Sequence, residues 1–447
     1  MYRRDIRYCY GWGQWLIWTG IKWEPDTTGK IQRLAKATAI SIYGEAQKAR
    51  TQEKREKLAA WATRSESAAA IKAMITLAES ELPITPAELD ANPYQLNCLN
   101  GTIDLRTGKL HSHRREDFIT KLAPVTYDSK ARDEIWEKVL SDATGTNVEL
   151  HELIQRAFGY SITGDTGEEV LFLVHGPAAT SKSTIIEAVK ATLGDYARTA
   201  DFETFVKRRD VGGPRNDIAR LAGSRLVVSI EVDEGKQLAE GLVKMVTGGD
   251  TVTARKLYHE SFEFKPAFKL WLVANHAPKV DPDDDAMWRR IHLIRMACQI
   301  PKHLRDPQVK AHLTNTTIAG PAILQWLLTG CLAWQREGLK IPAVVQQATD
   351  EYRASQDSFA EFISDCCLLE SDAWVSSEAL RNAFDEWSSE HGNGWLNGNG
   401  ISDKAFAKKL QRFGCSSRKG TGGVRGWSGL RLNLTDETST TDLDSIQ

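Results

Sequence analysis

The chain of 447 residues lacks several of the features that place a protein in a class at sight. Its seven cysteines include no C-x-x-C pair and no His/Cys cluster at zinc spacing, which excludes a cysteine-built zinc site and a redox pair. The count is odd and the cysteines are scattered, with Cys366 and Cys367 adjacent, which argues against a disulfide framework and for a reducing compartment. No apolar run approaches the roughly 20 residues of a membrane span. Met1-Tyr2-Arg3-Arg4 starts with positive charge but leads into a Trp- and Gly-rich stretch, unlike the apolar centre of a secretory signal. The expectation is a cytoplasmic protein with no membrane partner. A net charge of −2 does not announce a polyanionic partner, although a neutral average is compatible with one basic face.

What is present is ordinary globular material, 41% hydrophobic and 26% charged, at a length that suits about three domains. The opening segment carries Trp12, Trp15, Trp18 and Trp23 before the turn-like Glu24–Gly29 and reads as short strands. Its tryptophans suit an aromatic core better than a base-stacking platform. Residues 30–80 have the composition and near-3.6 spacing of two or three helices, broken around Thr63–Ser67. Asn97–Leu110 alternates like a strand, with turns at Asn100-Gly101 and Thr107-Gly108. A helical segment over about 131–160 follows. Past residue 300 the chain again reads as helical, and from about 356 a new unit begins with two helical segments and a Gly-rich hairpin. Thr435–Gln447 is polar and acidic, the composition of a disordered tail.

The richest signal lies between these regions. The apolar run Val170–Val174 leads into Gly176-Pro177-Ala178-Ala179-Thr180-Ser181-Lys182-Ser183-Thr184 and then into the helix-like Ile185–Leu193. A buried strand, a small-residue loop with Lys and Ser, and a helix form the setting of a phosphate-binding loop. There, backbone N–H groups and the helix N-terminus face the phosphates of ATP, Lys182 adds a fixed charge, and the Ser183 hydroxyl is placed for Mg²⁺. Ser181 stands where the pattern G-x-x-x-x-G-K-[ST] has its second glycine. Nucleotide hydrolysis also needs an acid for the metal, a polar group for the water and a cation for the γ-phosphate. Arg225–Ile230 is a second buried strand and ends at Glu231, the candidate acid and Mg²⁺ partner, with Asp233 and Glu234 close behind as sharers of that role. Phe268–Ala274 is a third and ends at Asn275, suited to bond the γ-phosphate or the attacking water. Arg289 and Arg290 follow the acidic Asp281–Asp285 and supply the cation, as a finger reaching a neighbouring subunit if the chain forms a ring. Strands alternating with helices, with polar residues at the strand ends, predict a parallel α/β sheet with its site along the carboxyl edge. Between the second and third strands, Thr247–Lys265 reads as a hairpin whose tip carries Arg255, Lys256, Tyr258 and His259, a combination suited to gripping a nucleic-acid backbone.

The order of these segments resembles superfamily 3 helicases. The carriers are the phosphate loop, Ser229–Gly235, Thr247–Tyr258, Leu270–Asn275 and Met287–Ile291. Within that group the chain is most similar to the phage and plasmid primase–helicases related to the poxvirus primase–helicase. Leu99–Leu105 and the Trp-rich start resemble the helical domain that precedes the ATPase there, and the end of the chain resembles an appended winged helix. The resemblance implies an AAA+ type P-loop ATPase core with a parallel sheet, an N-terminal mainly helical domain over 1–145, the helicase ATPase domain over 146–345, a winged helix over 346–434 and a tail over 435–447. It also implies a homo-hexameric ring moving 3′-to-5′ on single-stranded DNA in a bacterial host cell, with Lys182 and Ser183 on nucleotide and Mg²⁺. Glu231 takes the Walker B role beside Asp233 and Glu234, Asn275 is the sensor, Arg289 or Arg290 the finger, and the 255–259 hairpin the DNA contact. Two departures stand out: Ser181 in the loop, and the lack of room for a primase before Trp12, so that a primase is expected on a separate chain. A further expectation comes from the residues themselves. Lys404 to Arg431 contains Lys408, Lys409, Arg412, Arg418, Lys419 and Arg425 among its basic residues and no acid, with a helix-like segment ahead of a Gly-rich turn. That suits a recognition helix and wing on duplex or forked DNA. The alternative of another class is a ring that binds DNA and ATP as a replication initiator without unwinding.

Overall fold

The computed structural model describes residues 2–207, 215–230, 235–255, 261–390 and 402–433. They form two compact units, one within Met1–Val280 and Asp284–Asp350, the other within Asp281–Asp283 and Glu351–Gln447. Among the described residues no helix is long and apolar enough to cross a membrane. All seven cysteines are free.

The first unit opens with a small sheet. Strands Ile6–Cys9, Gln14–Trp18 and Trp23–Pro25 form an antiparallel meander, and Pro83–Ile84 joins it in parallel beside Ile6–Cys9. Trp15 and Trp23 are buried in it, as an aromatic core requires, while Trp12 stays exposed. Three helices follow, Lys30–Gln47, Gln52–Ser65 and Ala68–Glu81. The break between the last two falls at Ser67, whose side chain caps the third helix by accepting from the backbone N–H of Ala70. Strands Gln95–Cys98, Gly101–Asp104 and Lys109–His111 then make a second meander. The region expected to be mainly helical is therefore mixed. The strands, two to five residues each, include the short segments expected around the tryptophans and over Asn97–Leu110, but the long helical signal of 30–81 outweighs them in classing the region.

The centre of this unit is a five-stranded parallel sheet. Its spatial order is Ile291–Arg295, Leu171–His175, Lys269–Ala274, Leu226–Ile230 and Ala197–Thr199. Leu171 to Val174 are at most 1% exposed because both faces of the sheet are covered, which is why the sequence there is continuously apolar rather than alternating. Helices Val148–Ser161 and Gly320–Glu337 cover one region of it, with Phe158 stacked on Trp271 at 3.9 Å between ring centroids. The two helices cross in backbone contact. A Cβ on Gly159 would lie 2.1 Å from the Cys331 nitrogen, and one on Gly330 would lie 2.0 Å from the Gln155 oxygen.

The second unit contains helices Ser358–Cys366, Ser377–Glu390 and Asp403–Arg412, one more than the sequence reading counted. An antiparallel sheet of Trp374–Ser376, Arg425–Ser428 and Ser416–Lys419 and the short pair Cys367–Leu368 with Arg431–Leu432 complete it. Its core is aromatic, with Phe359, Phe362, Phe384, Trp387, Phe406 and Trp427 all buried.

Candidate functional site

The strand Leu171–His175 delivers the chain to the carboxyl edge of the sheet, where open parallel sheets bind ligands. The loop begins at Gly176 with φ of 156°, and a Cβ there would sit 2.0 Å from the carbonyl oxygen of Met296. Only glycine permits that approach. Ala179 and Ser181 both adopt left-handed backbone, at φ of 62° and 63°. Ser181 is the N-cap of helix Lys182–Leu193, yet its side chain makes no capping hydrogen bond, so the first-turn N–H groups are not claimed by it. Ser183 is exposed on that first turn. The helix is held down by Ile185, Ile186, Ala188, Val189 and Leu193, all buried.

Lys182 is only 6% exposed. Its ammonium donates to the carbonyls of Gly176 and Pro177, each at 2.6 Å, and to Thr180 Oγ1 at 3.1 Å. Burial pulls its pKa below the ordinary lysine value, and no carboxylate contributes to the shift. Among the described residues the acceptors of this buried cation are neutral. The loop is backed by the segment after the last core strand: Met296 N–H bonds the His175 carbonyl, Gln299 Nε2 the Ala178 carbonyl and Ile300 N–H the Ala179 carbonyl. Sequence reading missed this brace, which has no motif of its own. His175 lies at the root of the loop with a buried Nδ1 that finds no partner among the described residues, and burial lowers its pKa.

The neighbouring strand ends beside the loop. Ala274 pairs with His175, so the exposed Asn275 stands at the same carboxyl edge as Gly176. The strand Leu226–Ile230 lies on the far side of Lys269–Ala274, and its successors Glu231, Asp233 and Glu234 lie outside the described residues. The hairpin is present, with Val252–Arg255 paired to Ser261–Phe264 and Arg255 opposite Ser261. Lys256, Tyr258 and His259 lie outside the described residues.

Arg289 and Arg290 sit at the opposite, amino edge. The Arg290 carbonyl accepts from Leu171 N–H at the start of the loop strand, five residues before Gly176, so about 16 Å of strand separates the two places. Arg290 is buried and donates to Glu169 Oε2 at 2.6 Å and to the Ala286 carbonyl at 2.6 Å. Arg289 also reaches Glu169, at 3.2 Å, but its side chain is 65% exposed. The two arginines are thus unequal, which their adjacency in sequence does not reveal. A cleft of about 1080 Å³ also opens at this edge, lined by Glu169, Arg225, Phe262, Phe264 and Lys265 among others, well away from the phosphate loop.

In the second unit the basic set divides. Arg418, Lys419 and Arg425 are exposed around the hairpin turn, with Lys419 paired opposite Arg425, and Lys408 is exposed on helix Asp403–Arg412. Lys409 and Arg412 do not present free charge: Lys409 bonds Asp283 at 3.0 Å, and Arg412 bonds both Asp283 and Asp357. Burial works to raise the Asp283 pKa, but these two cations outweigh it and hold it below the usual carboxylate range. The sequence assigned both residues to DNA because it shows the basic run without the distant acids that meet it.

Comparison with known proteins adds the following. Residues 1–145 match the family described as D5 N terminal like, and residues 174–290 match a family of unknown function. A protein of Acanthamoeba polyphaga mimivirus named as a putative helicase is 29% identical over 295 residues, which are 62% of this chain and 31% of that one. Similarly named proteins of Frog virus 3 and Invertebrate iridescent virus 3 are 26% and 24% identical, over 51% and 63% of this chain and 25% and 33% of theirs. The chain spans a third or less of the length of these relatives. The solved apo structure of the NrS-1 C-terminal region covers 95% of this chain and 96% of its own, at 12% identity and a TM-score of 0.49. Residues 1–145 thus match a D5-type N-terminal region, which lies in front of a parallel α/β core, and the chain is similar to viral proteins named as putative helicases.

Proposed function

We propose that this chain carries the ATP-driven motor of a DNA helicase, a superfamily 3 P-loop ATPase working as a homo-hexameric ring on single-stranded or forked DNA. The observation that carries this reading is Lys182, a buried ammonium whose acceptors among the described residues are neutral, set among left-handed loop residues at the N-terminus of a helix. Carbonyls alone make such a cation tolerable, but at a helix N-terminus whose cap leaves the first-turn N–H groups unclaimed a phosphate chain would supply the anion. ATP and Mg²⁺ bound there would provide the phosphoanhydride and the charge that offsets its negative oxygens. Lys182 then exchanges the Gly176 and Pro177 carbonyls for phosphate oxygens, Ser183 offers its hydroxyl to the metal, and Asn275 at the adjoining strand end orients a water or a phosphate oxygen. Glu231, with Asp233 and Glu234, remains the proposed acid.

Arg289 is the proposed finger. About 16 Å of strand lies between it and its own loop, so it serves a neighbouring subunit if it serves a phosphate at all. Arg255 with Lys256, Tyr258 and His259 forms the proposed grip on DNA. The second unit, as a winged helix, adds Lys408, Arg418, Lys419 and Arg425 at the fork. The domain division proposed is 1–145, 146–345 and 346–434.

The deciding experiment is strand displacement on a forked substrate together with DNA-stimulated ATP turnover, with Lys182→Ala as the matched variant. Turnover and displacement by the natural chain, both lost in a folded Lys182→Ala protein, are expected. Undiminished turnover in that variant would remove the phosphate-loop reading, and turnover without displacement would favour the initiator ring.

A further inference from the structure

Glu169 belongs to no motif in the sequence, yet it organises the amino edge of the sheet. Its Oε2 accepts from Arg290 at 2.6 Å and from Arg289 at 3.2 Å. Arg290 is fixed, since its guanidinium is buried and its second arm is spent on the Ala286 carbonyl. Arg289 is not fixed in that way: only Glu169 holds its exposed side chain among the described residues. The backbone at Glu169 is itself unusual, with φ of 52° in a residue that carries a Cβ. That conformation is held by a short braced turn in which Gly167 N–H bonds Asp165 Oδ1 and Glu169 N–H bonds the Thr166 carbonyl. Left-handed backbone in a residue other than glycine persists where the surroundings over-determine it, and such places cluster where a side chain must be aimed.

We propose that Glu169 is a positioning residue that aims Arg289 out of one subunit toward the nucleotide of the next. The inference rests on the trans-acting arginine of the proposed function. Arg290 anchors the carboxylate, the carboxylate orients Arg289, and the cluster keeps one net positive charge because two guanidinium groups share one acid. An exposed arginine on a flexible stem loses rotamer freedom when it acts, and a carboxylate that restrains it beforehand lowers that loss. Glu169 touches neither nucleotide nor DNA in this account, and its effect passes wholly through Arg289.

The test uses the full chain and mixtures of variants. Glu169→Gln should assemble and bind ATP with unchanged KM, and should turn over ATP at least about tenfold more slowly in the presence of DNA. Mixed with Lys182→Ala, it should recover part of the turnover, because some interfaces then join an intact Arg289 to an intact loop. Mixed with Arg289→Ala, it should recover none, because both variants are impaired on the same side of every interface. Glu169→Asp, which keeps the charge but withdraws it by one methylene, should fall between the two and show the same pairing pattern, and it serves if Glu169→Gln fails to fold. Recovery with Arg289→Ala, recovery with neither partner, or full turnover by Glu169→Gln alone would each overturn the assignment. A mixture of Lys182→Ala with Arg289→Ala is the reference. If that pair assembles without recovery, the trans arrangement fails and this inference with it. If it recovers and the Glu169 pattern is absent, only Glu169 is wrongly assigned.

Discussion

At the scale of single residues, the loop serine is the clearest place where local cost and role meet. Ser181 adopts φ of 63° and ψ of 0°, a region that disfavours a residue with a Cβ by roughly 1–2 kcal/mol. Glycine removes that cost while adding backbone freedom in the unfolded chain, so Ser181→Gly should leave stability equal or up to about 1 kcal/mol higher. ATP turnover should be kept or raised, and a tenfold fall, about 1.4 kcal/mol, would reveal a task for the hydroxyl. His292 makes the pH prediction. Its imidazole is half-buried in the edge strand Ile291–Arg295 near the Phe172 ring, and desolvation pushes its pKa from 6.5 down to about 4. Between those two values the unfolded chain binds a proton that the folded chain refuses, so stability is full above pH 6.5 and falls as the pH drops toward 4. The loss amounts to roughly 3 kcal/mol for this group. Denaturant titrations from pH 7 to pH 4 should show it, and His292→Leu should remove that share of the acid sensitivity. An unchanged pH profile in the variant would mean that the imidazole protonates in place.

At the scale of elements, charge that looks alike in sequence is sorted by packing. The antiparallel pair Ser416–Lys419 and Arg425–Ser428 holds Arg418, Lys419 and Arg425 in solvent, whereas Lys409 and Arg412 are drawn into ion pairs by Asp283 and Asp357. Replacing Arg418, Lys419 and Arg425 together by Gln should weaken duplex and forked-DNA binding and flatten the dependence of log K on log salt by about 2–3. Fluorescence anisotropy over a salt series measures both. Lys409→Gln should leave the slope alone and lower thermal stability; a slope that changes with Lys409 and not with the exposed three would reverse the assignment. The same sorting explains how much was legible beforehand. The apolar runs at 171–174 and 270–274 declared strands because a sheet covered on both faces demands continuous apolar sequence, and the loop between strand and helix was marked by its Lys and small residues. The inequality of Arg289 and Arg290, the brace from Met296 to Ile300 and the role of Glu169 depend on contacts between distant segments, and no local pattern encodes those. The strands around the tryptophans and over Asn97–Leu110 were legible one by one, but they are short, and the neighbouring helices outweigh them in classing the region as a whole.

At the scale of the whole molecule, two buried cations of the first unit, Arg225 and Lys269, answer to carbonyls rather than to acids. Arg225, at the start of the strand Leu226–Ile230, donates to the carbonyls of Ile162 at 2.9 Å, Gln95 at 2.7 Å and Asn92 at 3.3 Å, and lies 4.6 Å from the centre of the Tyr196 ring. The Tyr196 hydroxyl in turn accepts from Asn97 N–H. Lys269, at the start of the next strand, donates to the carbonyls of Thr163 at 2.6 Å, Asp165 at 3.0 Å and Ala267 at 3.3 Å. Burial lowers the pKa of both groups, so each is costly to keep charged, and the carbonyls that receive them are what make the charge tolerable. The segment Asn92–Asn97 precedes the core by more than seventy residues and is fastened to it through Arg225 and Tyr196. Arg225→Met fills much of the same volume but strands the Ile162 and Gln95 carbonyls and leaves that of Asn92 with only the Gln95 N–H, at about 2 kcal/mol for the set. Hydrogen exchange should then quicken in Gln95–Cys98 and in Gly101–Asp104, which pairs with it, before it quickens in Leu171–His175. Should those strands keep their protection in a folded Arg225→Met protein, the joint would lie in the apolar contacts around Leu96 and Ile103 instead, and the buried arginine would be a tolerated charge rather than a fastening.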